Sequence, residues 1–220
     1  MVDTVTPFVS RRRLLVLALL GFGLGLGRAR PALAARGKVV TILGDSITAG
    51  LGLPATEALP AQLHLALNRL GVANVVRGSG VSGDTTAGGA ARVDFSVQPD
   101  TAVVVVALGG NDLLQGLDPR VIRANLEKIL ARLAARRMGV VLAGITAPPE
   151  IGRSYAREFN AVFADLARSR RLEFYPDLLA GVERNPALKQ ADGLHPNAAG
   201  VRLIAGRLAP IVAKALAQRP

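Results

Sequence analysis

No cysteine occurs anywhere in the 220 residues, and no tryptophan. Without thiols the chain cannot cross-link itself with disulfides, and thiolate metal sites are excluded. Histidine is nearly as scarce, with two in the chain, which argues against a catalytic metal held by several imidazoles. Aromatic residues make up 4%, too few to interleave with basic side chains as base-stacking platforms do. The net charge of +11 therefore needs another origin. Residues 1–34 hold five arginines against Asp3, and the remaining +7 is scattered over helical patterns. That distribution is a solvated basic surface, and no nucleic-acid partner is expected. No apolar run reaches the ~20 residues that span a bilayer. Low-complexity tracts, linkers and internal repeats are absent. What is present is a half-hydrophobic chain of a length that buries one full core.

The first residues read differently from the rest. "SRRRLL" (10–15) leads into an apolar run over 14–27, followed by Ala32-Leu33-Ala34. A basic start, a short apolar segment and a small-x-small triplet make an export signal over 1–34, leaving one domain over 35–220. The arginines after Ser10 resemble a twin-arginine signal. An ordinary secretory signal and a retained membrane anchor are the alternatives. The expected location is periplasmic or secreted, with no membrane span after processing.

From residue 38 onward the pattern alternates between strand and helix. "KVVTILGD" (38–45), "ANVVRG" (73–78), "TAVVVVALGG" (101–110), "VVLAGI" (140–145) and "RLEFYPD" (171–177) read as strands. The uninterrupted valines of the third are expected of a central parallel strand. Helical spacing runs through 57–71, with Leu59, Leu63, Leu67 and Leu70 on one stripe. Residues 118–139 form an amphipathic helix capped by Asp118, with Pro119 in its first turn and Gly139 as its stop. Its inner face is Ile122, Leu126, Ile129, Leu130 and Leu133. A further helix covers 154–170, and a last one starts near Ala198, where Pro210 is expected to break or kink it. Five strands alternating with helices predict a doubly wound α/β sandwich around a parallel sheet.

In such folds ligands gather beyond the carboxyl ends of the strands. Those positions hold Ser46 in "GDSITAG", Gly80 and Gly83 in "GSGVSGDTTAGG", Asn111 in "GGNDLL", and Asp192 and His195 in "ADGLHPN". Each has an ordinary structural alternative. Ser46 fits the start of a helix after Asp45, Asn111 suits a turn, and Asp192-Gly193 suits a turn before a helix begun by Pro196 and Asn197. His64 lies within an apolar helix pattern and reads as partly exposed scaffold. "GSGVSG" (78–83) matches G-x-G-x-x-G, but it follows the second strand, and Asp100 precedes the next strand instead of ending it. A dinucleotide site needs neither arrangement, so the glycines are read as bringing backbone close to a substrate. There is no G-x-S-x-G nucleophile elbow.

Taken together, the positions meet the needs of acyl transfer. Ser46 supplies a hydroxyl, His195 a base, and Asp192 a group to orient that base. The N–H groups of Ser46 and Gly83, with the Asn111 amide, supply donors for an oxyanion.

"GDSITAG", "SGDT", "GGND" and "DGLHPN", in this order and spacing, resemble the four blocks of the SGNH (GDSL-type) hydrolase family. "VSGDTTAGG" and "APPEIGRSYAREFNAVFADLA" resemble its bacterial thioesterase I/lysophospholipase L1-like arylesterase branch, and the likeness covers 38–215. It implies a flavodoxin-like α/β/α sandwich with strand order 2-1-3-4-5. It implies Ser46 as nucleophile, His195 as base then acid, and Asp192 as orienter, with no metal and no organic cofactor. Ser46, Gly83 and Asn111 form the implied oxyanion hole, with Gly80 the lesser alternative to Gly83. Asp45, Gly110 and Pro148 are the expected substrate contacts, and the loops 51–56, 113–117 and 146–153 are expected to shape the acyl pocket. The implied activity is hydrolysis of short to medium acyl or aryl esters, with acyl thioesters and lysophospholipids as further small-molecule substrates. A carbohydrate acetylesterase and a non-catalytic binding domain on the same scaffold are the alternative readings.

Overall fold

The computed structural model of the chain describes residues 1–3 and 37–219. The expected export signal and its cleavage triplet lie outside the described residues, apart from Met1–Asp3.

Among the described residues, five segments form one parallel sheet, the first four carrying valine, isoleucine or threonine and the last an aromatic pair: β1 (Lys38–Gly44), β2 (Asn74–Gly80), β3 (Thr101–Ala107), β4 (Gly139–Ala143) and β5 (Glu173–Tyr175). Their order is β2-β1-β3-β4-β5, as the resemblance implied. Val103 to Val106 are fully buried, because the middle strand is covered on both faces. Among the described residues, chain order gives seven α-helices: α1 (Ser46–Ala49), α2 (Leu59–Arg69), α3 (Thr86–Ser96), α4 (Gly110–Leu114), α5 (Pro119–Ala135), α6 (Arg153–Arg170) and α7 (Ala198–Ala217). The pair α2 and α7 covers one face of the sheet, and α3, α5 and α6 cover the other.

The apolar stripes point inward as expected. Leu59, Leu63 and Leu67 are buried, as are all five residues of the α5 face. Leu70 is the exception: α2 ends at Arg69, and Leu70 is exposed. Asp118 caps α5 by accepting from the Arg120 N–H at 2.8 Å, with Pro119 at the first position.

Four expectations need correction. Gly139 does not stop α5; the turn is made by Arg137 at φ +55, and Gly139 opens β4 instead. Strand β3 ends at Ala107, and Gly110 already belongs to a helix. Pro210 does not break α7, which runs through it. The carbonyl that loses its N–H partner belongs to Gly206, and both residues are exposed, so water can serve that carbonyl. Helix α3 was not expected at all: Gly88 and Gly89 weaken its pattern, and Val93 is its one large buried aliphatic.

The sheet register does the positioning. Gly44 pairs with Gly80 on one side and Ala107 on the other, so β1, β2 and β3 end at one level. The segments carrying Ser46, Gly83 and Asn111 all leave the sheet from that level.

Candidate active site

Ser46 is the first residue of α1, and its N–H precedes the first intrahelical bond. The turn that presents it is held by Asp45, whose Oδ1 accepts from the Ile47 N–H at 3.0 Å, and by the Thr48 hydroxyl, which donates to the Asp45 carbonyl at 2.9 Å. Gly80 is glycine for a steric reason here. A Cβ on it would stand 2.3 Å from the Ala49 nitrogen and 2.5 Å from Thr48 Oγ1. Gly78 similarly faces Pro60. These two glycines bring β2 close to neighbouring protein and not to a substrate, which corrects that expectation. Asp100 is ion-paired to Arg77 at 2.5 Å and directly precedes β3, at the opposite end of the strand from where a ribose-binding acid stands.

The Ser46 hydroxyl lies 2.8 Å from His195 Nε2. On the other side of the ring, His195 Nδ1 donates to Asp192 Oδ2 at 2.6 Å. The second Asp192 oxygen accepts from the N–H groups of Leu194 at 2.9 Å and His195 at 3.0 Å. The Leu194 N–H first, then the His195 ring and backbone, hold the Asp192 carboxyl down at about 2. Gly193 takes φ +68 between them, the left-handed turn that folds the aspartate back onto the ring. Asn197 then caps α7 by accepting from the N–H groups of Ala199 and Gly200. Gln190 ties this loop to the 51–56 loop by donating to the carbonyls of Leu51 and Pro196.

Burial is the main reason the Asp45 carboxyl is pushed up to about 6. The folded state therefore holds that proton more tightly than the unfolded chain does. The sign follows: stability supported by the neutral form is present at low pH and declines as pH rises from about 4 to about 6. A two-unit rise corresponds to roughly 3 kcal/mol. Asp45→Asn, which keeps an oxygen for the Ile47 N–H, is expected to raise Tm at pH 8 and to give no gain at pH 4. Thermal unfolding at the two pH values checks this, and an equal change at both would contradict it.

Asn111 sits in α4 and donates from Nδ2 to the Asp84 carbonyl at 2.8 Å. That bond uses one of the two amide hydrogens and leaves the other for a ligand. Beside it, the fully buried Asp112 accepts from the Thr86 N–H at 2.8 Å and the Thr86 hydroxyl at 2.5 Å, fastening α4 to the start of α3.

These residues open onto a cleft of about 620 Å³. Ser46, His195, Gly83, Asn111, Asp45, Gly110 and Pro148 all line it, while Asp192 stands behind the His195 ring. Asp45 is 3% exposed, so it offers the cleft little surface. Much of the wall is aliphatic, from Ile47, Leu51, Leu113, Leu114, Ile145 and Leu179. Asn160 fixes the 146–148 segment by a paired exchange with the Ala147 N–H and carbonyl, at 2.7 and 3.1 Å. Tyr155 holds the loop after α4 by donating to the Leu117 carbonyl at 2.9 Å. One end of the cleft is polar, with Asp177, Glu183 and Arg184. Burial, followed by the Asp177 charge, pushes the Glu183 carboxyl up. Asp112 stands beside Asn111 in "GGNDLL", at the strand end the sequence marks, but its bond to Thr86 was not legible there; Asn160, Tyr155 and Gln190 were not visible as site residues, because they act through Ala147, Leu117 and Leu51, which are distant along the chain. Among the described residues, no group of three or more His, Cys, Asp or Glu side chains converges as a metal site would. No described helix is long and apolar enough to cross a membrane.

A serine, a histidine and an aspartate in line at the mouth of a cleft could arise on many folds. Here the pattern of a known family also matches residues 42–203, that of the GDSL-like Lipase/Acylhydrolase family. The chain belongs to this family. The Esterase TesA of Pseudomonas aeruginosa is 36% identical over 163 residues, covering 74% of this chain and 81% of that protein. The Thioesterase 1/protease 1/lysophospholipase L1 of Escherichia coli K12 is 34% identical over 165 residues, covering 74% of this chain and 78% of that protein. Among solved structures, AlinE4, an SGNH-hydrolase family esterase, superposes with a TM-score of 0.69 at 42% identity, over 82% of this chain and 97% of that one. Membership makes the chain a serine ester hydrolase, with the doubly wound fold described above.

Proposed function

We propose that Ser46 is the nucleophile of this ester hydrolase and that the cleft takes short to medium acyl or aryl esters. The observation that carries the reading is the unbroken line from Ser46 Oγ through the His195 ring to Asp192, opening on an aliphatic cleft.

In this mechanism Ser46 Oγ attacks the ester carbonyl carbon while its proton passes to His195 Nε2. Asp192 keeps the other ring proton on Nδ1, so Nε2 is the nitrogen free to accept, and it stabilises the imidazolium that forms. The carbonyl oxygen becomes an oxyanion, met by the N–H groups of Ser46 and Gly83 and by Asn111 Nδ2. Collapse breaks the bond to the alcohol, which leaves with the proton from His195. Water then attacks the acyl-Ser46 ester with His195 again as base, releasing the acid. Gly110 and Pro148 contact the substrate; Asp45 acts mainly by holding the Ser46 turn. Thioesters and lysophospholipids present the same acyl carbonyl and belong to the same reading. The relatives' names, which include esterase, thioesterase and lysophospholipase, support that breadth. Residues 1–34 act as the export signal in this reading, and the enzyme works outside the cytoplasm.

A series of p-nitrophenyl esters from acetate to palmitate tests the substrate class on the full chain. A maximum of kcat/KM at a short or medium acyl chain is expected, because a cleft of about 620 Å³ is finite and largely aliphatic. Activity on acetate alone, together with release of acetate from acetylated glycans, would favour the carbohydrate acetylesterase instead.

A further inference from the structure

Arg92 lies on α3, outside the cleft, and all three nitrogens of its guanidinium donate hydrogen bonds. Nε donates to Asp84 Oδ2 at 2.6 Å. Nη1 donates to the Ser79 carbonyl at 2.8 Å and to Ser96 Oγ at 2.9 Å. Nη2 donates to the Gly44 carbonyl at 2.8 Å. One side chain thus joins the ends of β1 and β2, the loop after β2, and α3. The pair is sheltered, with side-chain exposures of 18% for Arg92 and 15% for Asp84. Sheltered ion pairs contribute little net stability, because desolvation offsets their attraction. Their geometry is another matter, since a planar fork holds several acceptors at fixed angles as an ammonium cannot.

What Arg92 holds is the proposed oxyanion machinery. Asp84 follows Gly83 directly, and its carbonyl is the acceptor that orients the Asn111 amide. Gly44 stands two residues before Ser46, and its carbonyl also accepts from the Val81 N–H at 3.0 Å. All three proposed oxyanion donors are therefore one or two residues, or one hydrogen bond, from a group Arg92 fixes. We propose that Arg92 is a positioning residue for the oxyanion hole, setting the Gly83 peptide and the Asn111 amide through Asp84 and the Ser46 turn through Gly44. The proposal rests on the assignment of those donors under the function proposed above. Arg92 does not line the cleft and takes no proton in the reaction.

The test compares Arg92→Lys, Arg92→Met, Asp84→Asn and Asn111→Ala with the unaltered full chain. Each is measured for kcat and KM on p-nitrophenyl butyrate and for inhibition by a trifluoromethyl ketone of the same acyl chain. The ketone's adduct with serine places an oxyanion in the hole. One oxyanion donor is worth about 10²- to 10³-fold in kcat, and misplacing donors forfeits part of that. Arg92→Met is expected to lose roughly 30- to 100-fold in kcat and Arg92→Lys roughly 10-fold, with KM within about 3-fold. The ketone's inhibition constant rises by the same factor as kcat falls. A merely structural Arg92 would lower Tm and leave kcat and ketone affinity unchanged well below Tm. If Arg92→Met fails to fold, Arg92→Lys and Asp84→Asn decide. Wild-type kcat and ketone affinity in those two overturn the proposal, and a parallel loss supports it. Wild-type kcat in Asn111→Ala overturns the oxyanion assignment and this proposal with it. A large loss in Asn111→Ala beside none in the Arg92 and Asp84 variants overturns this proposal alone.

Discussion

Ser46→Ala is expected to lower kcat/KM on p-nitrophenyl butyrate by about 10⁴- to 10⁶-fold. The substitution removes one oxygen atom from a residue that is 9% exposed, and it leaves the cap on α1 to Asp45. Folding should therefore survive, and circular dichroism with thermal unfolding can confirm it. What is lost is the only hydroxyl within hydrogen-bond reach of His195 Nε2 among the described residues. Residual activity would come from binding and the oxyanion donors alone, which in serine hydrolases leave ~10³- to 10⁴-fold over water. A folded Ser46→Ala protein with more than a tenth of the wild-type rate would contradict the assignment.

His195→Ala is expected to cost about 10⁴-fold or more, and to change the shape of the pH profile as well. In the unaltered enzyme the rate falls on the acid side, because a protonated imidazole cannot accept the Ser46 proton. Two carboxyls must be separated from that effect. Asp192, held at about 2 by the Leu194 N–H and the His195 ring, stays ionised well below the limb and is not its source. Asp45, raised to about 6 by burial, titrates inside the range where histidines do. The discriminating variant is therefore Asp45→Asn. With His195 as base, the acid limb persists in Asp45→Asn and disappears from the residual rate of His195→Ala. A limb that vanishes in Asp45→Asn would assign it to the carboxyl instead.

The parts of the site that were legible in the sequence are those that chemistry packs into a few consecutive residues. Asp192 and His195 share one loop, so their pairing shows in "DGLHPN". Ser46 and His195 are 149 residues apart: one follows β1 and the other lies between β5 and α7, and they meet because Gln190 ties the histidine loop to Leu51 and α7 packs on α2. The alternation of strand and helix revealed the fold class. Strand order came from the four-block resemblance, since periodicity carries no information about neighbours. Helix α3 was hidden because two glycines and short side chains leave almost no stripe. Its helix is held by Thr85 at the cap and by contacts with α5, which no local pattern announces. Pro210 misled in the opposite direction, because the penalty for a proline is small where the orphaned carbonyl faces water. Asp84 belongs to the "SGDT" block, but nothing local marks Arg92, eight residues on, as its partner; their joint role exists only after β1 and β2 have paired.

Trapping of the acyl-enzyme tests the role of Ser46 most directly. The full chain is mixed with p-nitrophenyl butyrate, quenched in acid within the first turnover, digested and mapped by mass spectrometry. A butyryl group on the peptide containing Ser46, absent from the Ser46→Ala protein, is the expected result. A butyryl group on another residue, or turnover with no covalent adduct at any quench time, would contradict it.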